Sequence, residues 1–260
     1  MRMMKLEMMS VRKRTAAAIV GAMVAAIGFS GGVAGAASYT TVDDAAFGED
    51  GHLLIFEEVY GGGEAGSFGL DANNRDFIGS GAAAGISAIR LADTNSQGPD
   101  DQIWDNAMLG NGPIRARAVA SFARFPQSFG YVPGVTEDVE TEFVNLFDVT
   151  GSEFNVQGSS MNIDLGHLES FRWAREGVAG VMHTSLEADN DDLDHMVTYK
   201  IEGLDRLQPI YMLFFEDSFQ DWDYQDMVVE IAAVPSPAAV GPGLGLLGML
   251  GLIRRRRNRH

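Results

Sequence analysis

The chain has 260 residues, no cysteine and a formal net charge of −17 at pH 7. The missing thiols exclude disulfides, thiolate metal sites and cysteine nucleophiles, so stability must come from core burial or bound metal. The acidic excess opposes nucleic-acid phosphates and anionic membrane surfaces and favours cations.

Arg2, Lys5, Arg12, Lys13 and Arg14 precede an uncharged stretch from Thr15 to Phe29, and small residues then lead to Ala36. This pattern predicts a secretory signal peptide over residues 1–36, with Ala34 and Ala36 placing cleavage after Ala36, while Gly35 and Ala37 permit it one residue later. A first transmembrane helix is the competing reading, opposed by the short apolar segment and its small-residue exit. The body, residues 37–233, is long enough for one domain or two with ample core. It keeps nine basic residues against 35 acidic ones, a net of −26, which reads either as a solvated surface suited to saline surroundings or as a cation-binding role.

His52 to Tyr60 is a short aromatic and β-branched run that stops at three glycines, and a strand ending in a turn is expected there. Gly61, Gly63 and Gly66 have the spacing of a dinucleotide-binding loop, but Ser67 to Asn74 cannot open the helix such a loop needs, so the match is accidental. Ala82 to Leu91 is a short helix candidate interrupted by glycine. Asp93 to Gly98 begins like an EF-hand loop, yet the twelfth position is Trp104 where a bidentate Glu is needed, and the segment reads as a turn.

Ile114, Ala116, Ala118, Ala120 and Phe122 then recur with the period of a half-buried strand. The rhythm returns in Val139, Thr141, Phe143, Asn145, Phe147 and Val149, in Phe154 and Val156, and in Met161, Ile163 and Leu165. Gly166 to Glu176 is a second helix candidate or an irregular turn. His195, Val197, Tyr199 and Ile201 alternate again, and a turn around Asp205 and Pro209 leads to Ile210–Phe215. That run is continuously apolar, as a strand covered on both faces would be, and Met227 to Ala232 is its expected partner. Short strands between Gly, Asn and Asp turns predict an all-β protein, an antiparallel β-sandwich with a jelly-roll arrangement among the options.

The densest chemistry lies between the last two predicted strands, in Glu216, Asp217, Asp221, Asp223 and Asp226. Close carboxylates repel one another unless a cation or water separates them. Calcium accepts about six to eight oxygens in flexible geometry, so it suits such a loop better than magnesium, and these five residues are its expected ligands. Solvated turn acids are the alternative. The segment is similar to the F-x-D-x-x-x-x-D-x-D-Y-N-D-x-V loop of calcium-associated, DUF4114-like β-domains of surface and matrix proteins, with Gln225 in place of Asn. That resemblance implies a terminal hairpin more strongly than a metal. Asp189 to Asp194 form a second acidic cluster, able to serve the same edge or to act as a polar loop.

Hydrolytic readings find little support. Glu57 and Glu58, adjacent in an expected strand, would point to opposite faces, and the alternate pair Glu140 and Glu142 is ordinary on a polar face. No G-x-S-x-G elbow, P-loop or H-E-x-x-H pair occurs. Trp104, Trp173 and Trp222 could stack sugars in a cleft or pack in the core.

The chain ends in Val234-Pro235-Ser236-Pro237, an apolar Gly-rich run from Val240 to Ile253, and Arg254, Arg255, Arg256, Arg257, Asn258 and Arg259. As a helix that run covers about 21 Å, short of the roughly 30 Å hydrocarbon core, and spans it only by recruiting Ala232 to Ala239. A proline break, a weak apolar segment and terminal arginines hold a chain in the membrane with the arginines in the cytoplasm and the body outside. The order of parts resembles the PEP-CTERM sorting signal of bacteria, with Ser236 where that family usually has Glu. The resemblance implies that residues 234–260 are recognised through Val234, Pro235, Pro237 and Arg254 to Arg257 and cleaved by a membrane transpeptidase of the exosortase family. An ordinary anchor helix with a basic stop is the alternative.

These readings predict an exported envelope or matrix protein with no catalytic residues and calcium as its stabilising ion. Its expected partners are the export machinery, the exosortase-like enzyme and extracellular polysaccharide, with membrane contact only through the terminal segments and no nucleic acid. A secreted carbohydrate-active hydrolase or a glycan-binding module on the same route is the alternative function.

Overall fold

A computed structural model of the chain describes residues 37–43, 51–94, 99–123, 125–157, 160–177, 180–204, 208–216 and 222–234. Ala34, Ala36, Asp217, Asp221, Pro235, Pro237 and Arg254 to Arg257 lie outside the described residues, as do the predicted signal peptide and the tail beyond Val234. Among the described residues no helix is long and apolar enough to cross a membrane.

The chain folds mainly into antiparallel strands arranged as two sheets. The larger sheet runs in the order β1 (Phe68–Leu70), β2 (Phe77–Gly79), β3 (Ser87–Arg90), β11 (Met196–Glu202), β12 (Ile210–Phe215), β13 (Met227–Ala233), β4 (Ile114–Ala120) and β8 (Ser160–Ile163). The smaller runs β10 (Met182–Thr184), β9 (Phe171–Glu176), β5 (Gln127–Pro133), β6 (Val144–Ser152) and β7 (Asn155–Gln157). The alternating runs of the sequence supply β4 and β11, and the expected partner Met227 to Ala232 supplies β13; the β11–β12 and β12–β13 ladders are regular and antiparallel, while β13–β4 shifts register between Val228 and Val229.

All six residues of β12 are buried, as its unbroken apolar sequence requires. Tyr211, Leu213 and Phe215 turn into a core shared with Phe129, Phe171 and Trp173 of the smaller sheet. Ile210, Met212 and Phe214 enter a second core with Ile55, Phe56, Phe68 and Phe77. Burial of such a side chain stabilises by roughly 1.5–3 kcal/mol, so β12 anchors both layers at once.

The cover of that second core corrects the sequence expectation. His52–Tyr60 is not a strand but the helix α1, burying His52, Ile55 and Phe56 at helical spacing while Leu54 stays 44 % exposed. Nine largely apolar residues satisfy either period, and the outer face of β11 to β13 needs a lid more than another strand. The glycines behind it close the helix: Gly61 N–H donates to the Phe56 carbonyl at 3.3 Å and Gly63 N–H to the Glu57 carbonyl at 2.9 Å, while Gly66 N–H meets the Glu57 carboxylate. Gly62 and Gly63 take φ of 67° and 74°, the left-handed turn that glycine allows. The dinucleotide spacing is thereby a helix terminus.

Three further expectations change. Val139–Glu142 is a single helical turn, α2, rather than the start of a strand, because Asp138 caps it by accepting from Thr141 N–H at 3.0 Å; β6 begins after it. Neither helix candidate is helical along its length. Ala82 to Leu91 divides into a short 3-10 turn, Gly81–Ala83, and β3, and Gly166 to Glu176 becomes a turn followed by β9. In β9, Phe171 and Trp173 meet the sandwich core, so burial on two sides selects a strand.

Candidate functional site

The acidic residues gather at one end of the larger sheet because of how its strands pair. The register that sets Tyr199 opposite Arg90 carries Asp93, just past β3, to the level of Met196, beside Asp194 at the start of β11. Glu187 joins from the 3-10 turn Glu187–Asp189 that precedes β11. One carboxylate oxygen from each of Asp93, Glu187 and Asp194 lies within 4.8 Å of the others, the one such group among the described residues. Asp101, 1 % exposed, stands behind them and accepts from Thr198 N–H at 3.1 Å.

The balance of charge at this end is uneven. Arg90 is the nearest cation, its Nη2 3.6 Å from Asp93 Oδ1. Asp194 is 8 % exposed; its Oδ1 accepts from Met196 N–H at 3.0 Å, and its buried Oδ2 meets no hydrogen-bond donor. Burial pushes the Asp93 carboxyl up to about 6 against the pull of Arg90, and burial with the Asp93 charge pushes Asp194 up to about 7. Asp101 is raised too, by burial and then by Asp194 and Asp93. A cation beside such groups favours their ionised forms. A cleft of about 460 Å³ lined by Thr40, Thr41, Asp43, Glu187, Asp192 and Asp194 reaches the cluster, so hydroxyl and carbonyl oxygens and water can complete a coordination shell.

The predicted ligands of the β12–β13 connection are placed differently. Glu216 is fully buried and its Oε2 accepts from Tyr224 N–H at 3.2 Å. Asp223 is 2 % exposed, and its Oδ2 accepts from Gln225 Nε2 at 2.8 Å. Asp226 offers its backbone carbonyl to Ser121 Oγ at 3.0 Å and Gln127 Nε2 at 3.3 Å. These three therefore shape the connection by accepting internal hydrogen bonds. Val234, the one described residue of the predicted sorting signal, donates its N–H to the Pro113 carbonyl at 2.8 Å.

The early EF-hand-like segment and the Asp189 to Asp194 cluster each contribute one residue to the group, Asp93 and Asp194. Glu187 went unrecognised in the sequence, since no linear spacing links it to Asp93. Trp104 and Trp173 are fully buried in the sandwich core, which removes them as sugar-stacking surfaces. His183 and His195 stack with centroids 3.7 Å apart, and Arg175 Nη2 lies 3.2 Å from His183 Nδ1. Burial, its stacked neighbour and Arg175 depress His183 to about 3; burial and Arg175 depress His195 to about 4.

A second cavity, about 550 Å³, opens between residues 39–43, the first turn of α1 and the β1–β2 turn, with Arg75, Arg90 and Tyr199 among its walls. No protein-family model matches the chain, and no curated protein matches it either.

Proposed function

We propose that this protein is an exported, non-catalytic β-sandwich of the cell envelope or extracellular matrix whose sheet end is fastened by a divalent cation. Its signal peptide directs export, and the PEP-CTERM-like tail brings it to an exosortase-like transpeptidase that cleaves near Val234 to Pro237. The wiring of the larger sheet, with the β11–β12–β13 meander set between β3 and β4, supports a jelly-roll-like description.

The observation that carries the fastening role is the convergence of Asp93, Glu187 and Asp194 around an unpartnered, buried carboxylate oxygen. Calcium fits best, because three carboxylates from separate segments form an irregular oxygen set that strict octahedral geometry would not suit. An ion there ties the 187–194 turn to the end of β3 without a disulfide.

Melting curves test it. At about a hundredfold excess over its dissociation constant, calcium should stabilise by about 2.7 kcal/mol and raise the melting temperature by several degrees. Sodium at equal ionic strength should not. Asp93→Asn with Asp194→Asn should abolish the calcium shift, whereas Asp223→Asn should keep it. A wild-type protein that melts identically with and without calcium would sink the reading.

A further inference from the structure

We infer that the cavity between Tyr39, α1 and the β1–β2 turn binds a carboxylated sugar, a uronic-acid residue of an acidic polysaccharide. The mature body has only nine basic residues, and two of them, Arg75 and Arg90, line this one cavity. Arg90 is 7 % exposed, and neither its Nε nor its Nη2 has a hydrogen bond, Nη2 lying 3.6 Å from Asp93 Oδ1; the buried Arg75 Nε, 3.8 Å from Asp76 Oδ1, has none either. Buried guanidinium donors whose carboxylates stand beyond hydrogen-bond distance are incompletely satisfied, and a planar carboxylate answers two of them at once.

The donors are held in place before any ligand arrives. The Arg75 guanidinium lies 4.0 Å over the Tyr39 ring. Asp71 Oδ1 accepts from the N–H groups of Asn73, Arg75 and Asp76 at 3.1, 3.0 and 3.2 Å, which fixes the turn that carries Asn74 and Arg75. Asp76 Oδ1 then accepts from Arg90 N–H at 3.0 Å, tying the two arginine-bearing segments together.

The remaining walls suit a sugar. Leu53, Leu70 and Phe77 offer apolar surface to a pyranose face, and Asn74 and Asp43 offer partners to its hydroxyls. Asp43 and Asp223 also line the cavity and repel a doubly charged phosphate more than a singly charged carboxylate. The volume falls within the roughly 300–1,000 Å³ usual for small-ligand sites and accommodates more than one sugar ring.

Calorimetric titration of the full-length chain with trigalacturonate, maltotriose and inorganic phosphate decides the matter. Trigalacturonate should bind and maltotriose should not, and Arg75→Gln should weaken trigalacturonate binding at least about tenfold. Arg75 is partly exposed, so that variant should fold, and its calcium-induced melting shift should equal the wild type's; this separates loss of the sugar site from failure of the cation reading. Arg90→Lys, which keeps the charge but loses the planar fork, should also weaken binding. Equal binding of maltotriose, preference for phosphate, no trigalacturonate binding at millimolar concentration, or wild-type affinity in Arg75→Gln would each overturn the inference.

Discussion

His195 shows how single residues tune this protein. It is buried against His183, with Arg175 near both, and each imidazole stays neutral well below the ordinary histidine range. In the unfolded chain both take up a proton near pH 6.5, whereas the folded form resists until about pH 3 to 4. Below pH 6.5 the unfolded state therefore binds more protons, and stability falls as pH falls. Asp93 and Asp194 act in the opposite sense, because their raised values let the folded form hold protons that the unfolded form has lost; their contribution is lost as pH rises through about 6 to 7. Comparing His195→Gln with the wild type isolates the imidazole. The variant should lose less melting temperature than the wild type between pH 6.5 and 4, and parallel curves would show that His195 does not titrate on unfolding.

At the scale of elements, α1 gives a sharp discrimination between the two periods its sequence allows. In a strand, Leu54 and Phe56 would share a face and a fate. In the helix, Phe56 is buried against Phe68, Phe77, Tyr199 and Phe214 with ring centroids 5.0–6.0 Å apart, while Leu54 faces solvent. Phe56→Ala should cost about 3–5 kcal/mol in denaturant unfolding and Leu54→Ala only about 0.5 kcal/mol. Similar costs at both positions would contradict the helix.

The same contrast explains what could be read from the sequence. β4, β11, β12 and β13 were legible because alternation, or an unbroken apolar run, reports burial directly. α1 was not, because a short, largely apolar stretch fits both periods until a neighbouring sheet decides which face is covered, and β9 was not, because Arg172 and Arg175, each 1 % exposed, read in the sequence as surface residues. The acidic cluster was legible only as separate acids. Asp93 and Asp194 meet through the β3–β11 register, and no local spacing records a ladder between distant segments.

At the scale of the whole molecule, residues 37–233 carry a net charge of −26, and Arg90 stands between the two candidate sites. Arg90 faces Asp93 on one side and the second cavity on the other. A cation on Asp93 would release Arg90 from its competing carboxylate, so trigalacturonate should bind more tightly with calcium than with a chelator, and by linkage the sugar should tighten calcium by the same factor. Equal affinities would leave the sites independent. The processing reading is checked by intact mass of the protein taken from its native cell surface: the surface form should begin near Ala37 and lack Arg254 to Arg259. Retention of those arginines on most molecules would leave a simple anchor.

The proposal that a cation fastens the sheet end is tested most directly by anomalous diffraction from crystals of the protein grown with calcium. An anomalous peak among Asp93, Glu187 and Asp194, with carboxylate oxygens at about 2.3–2.6 Å, is the predicted result. Well-ordered carboxylates with no peak between them at saturating calcium would contradict it.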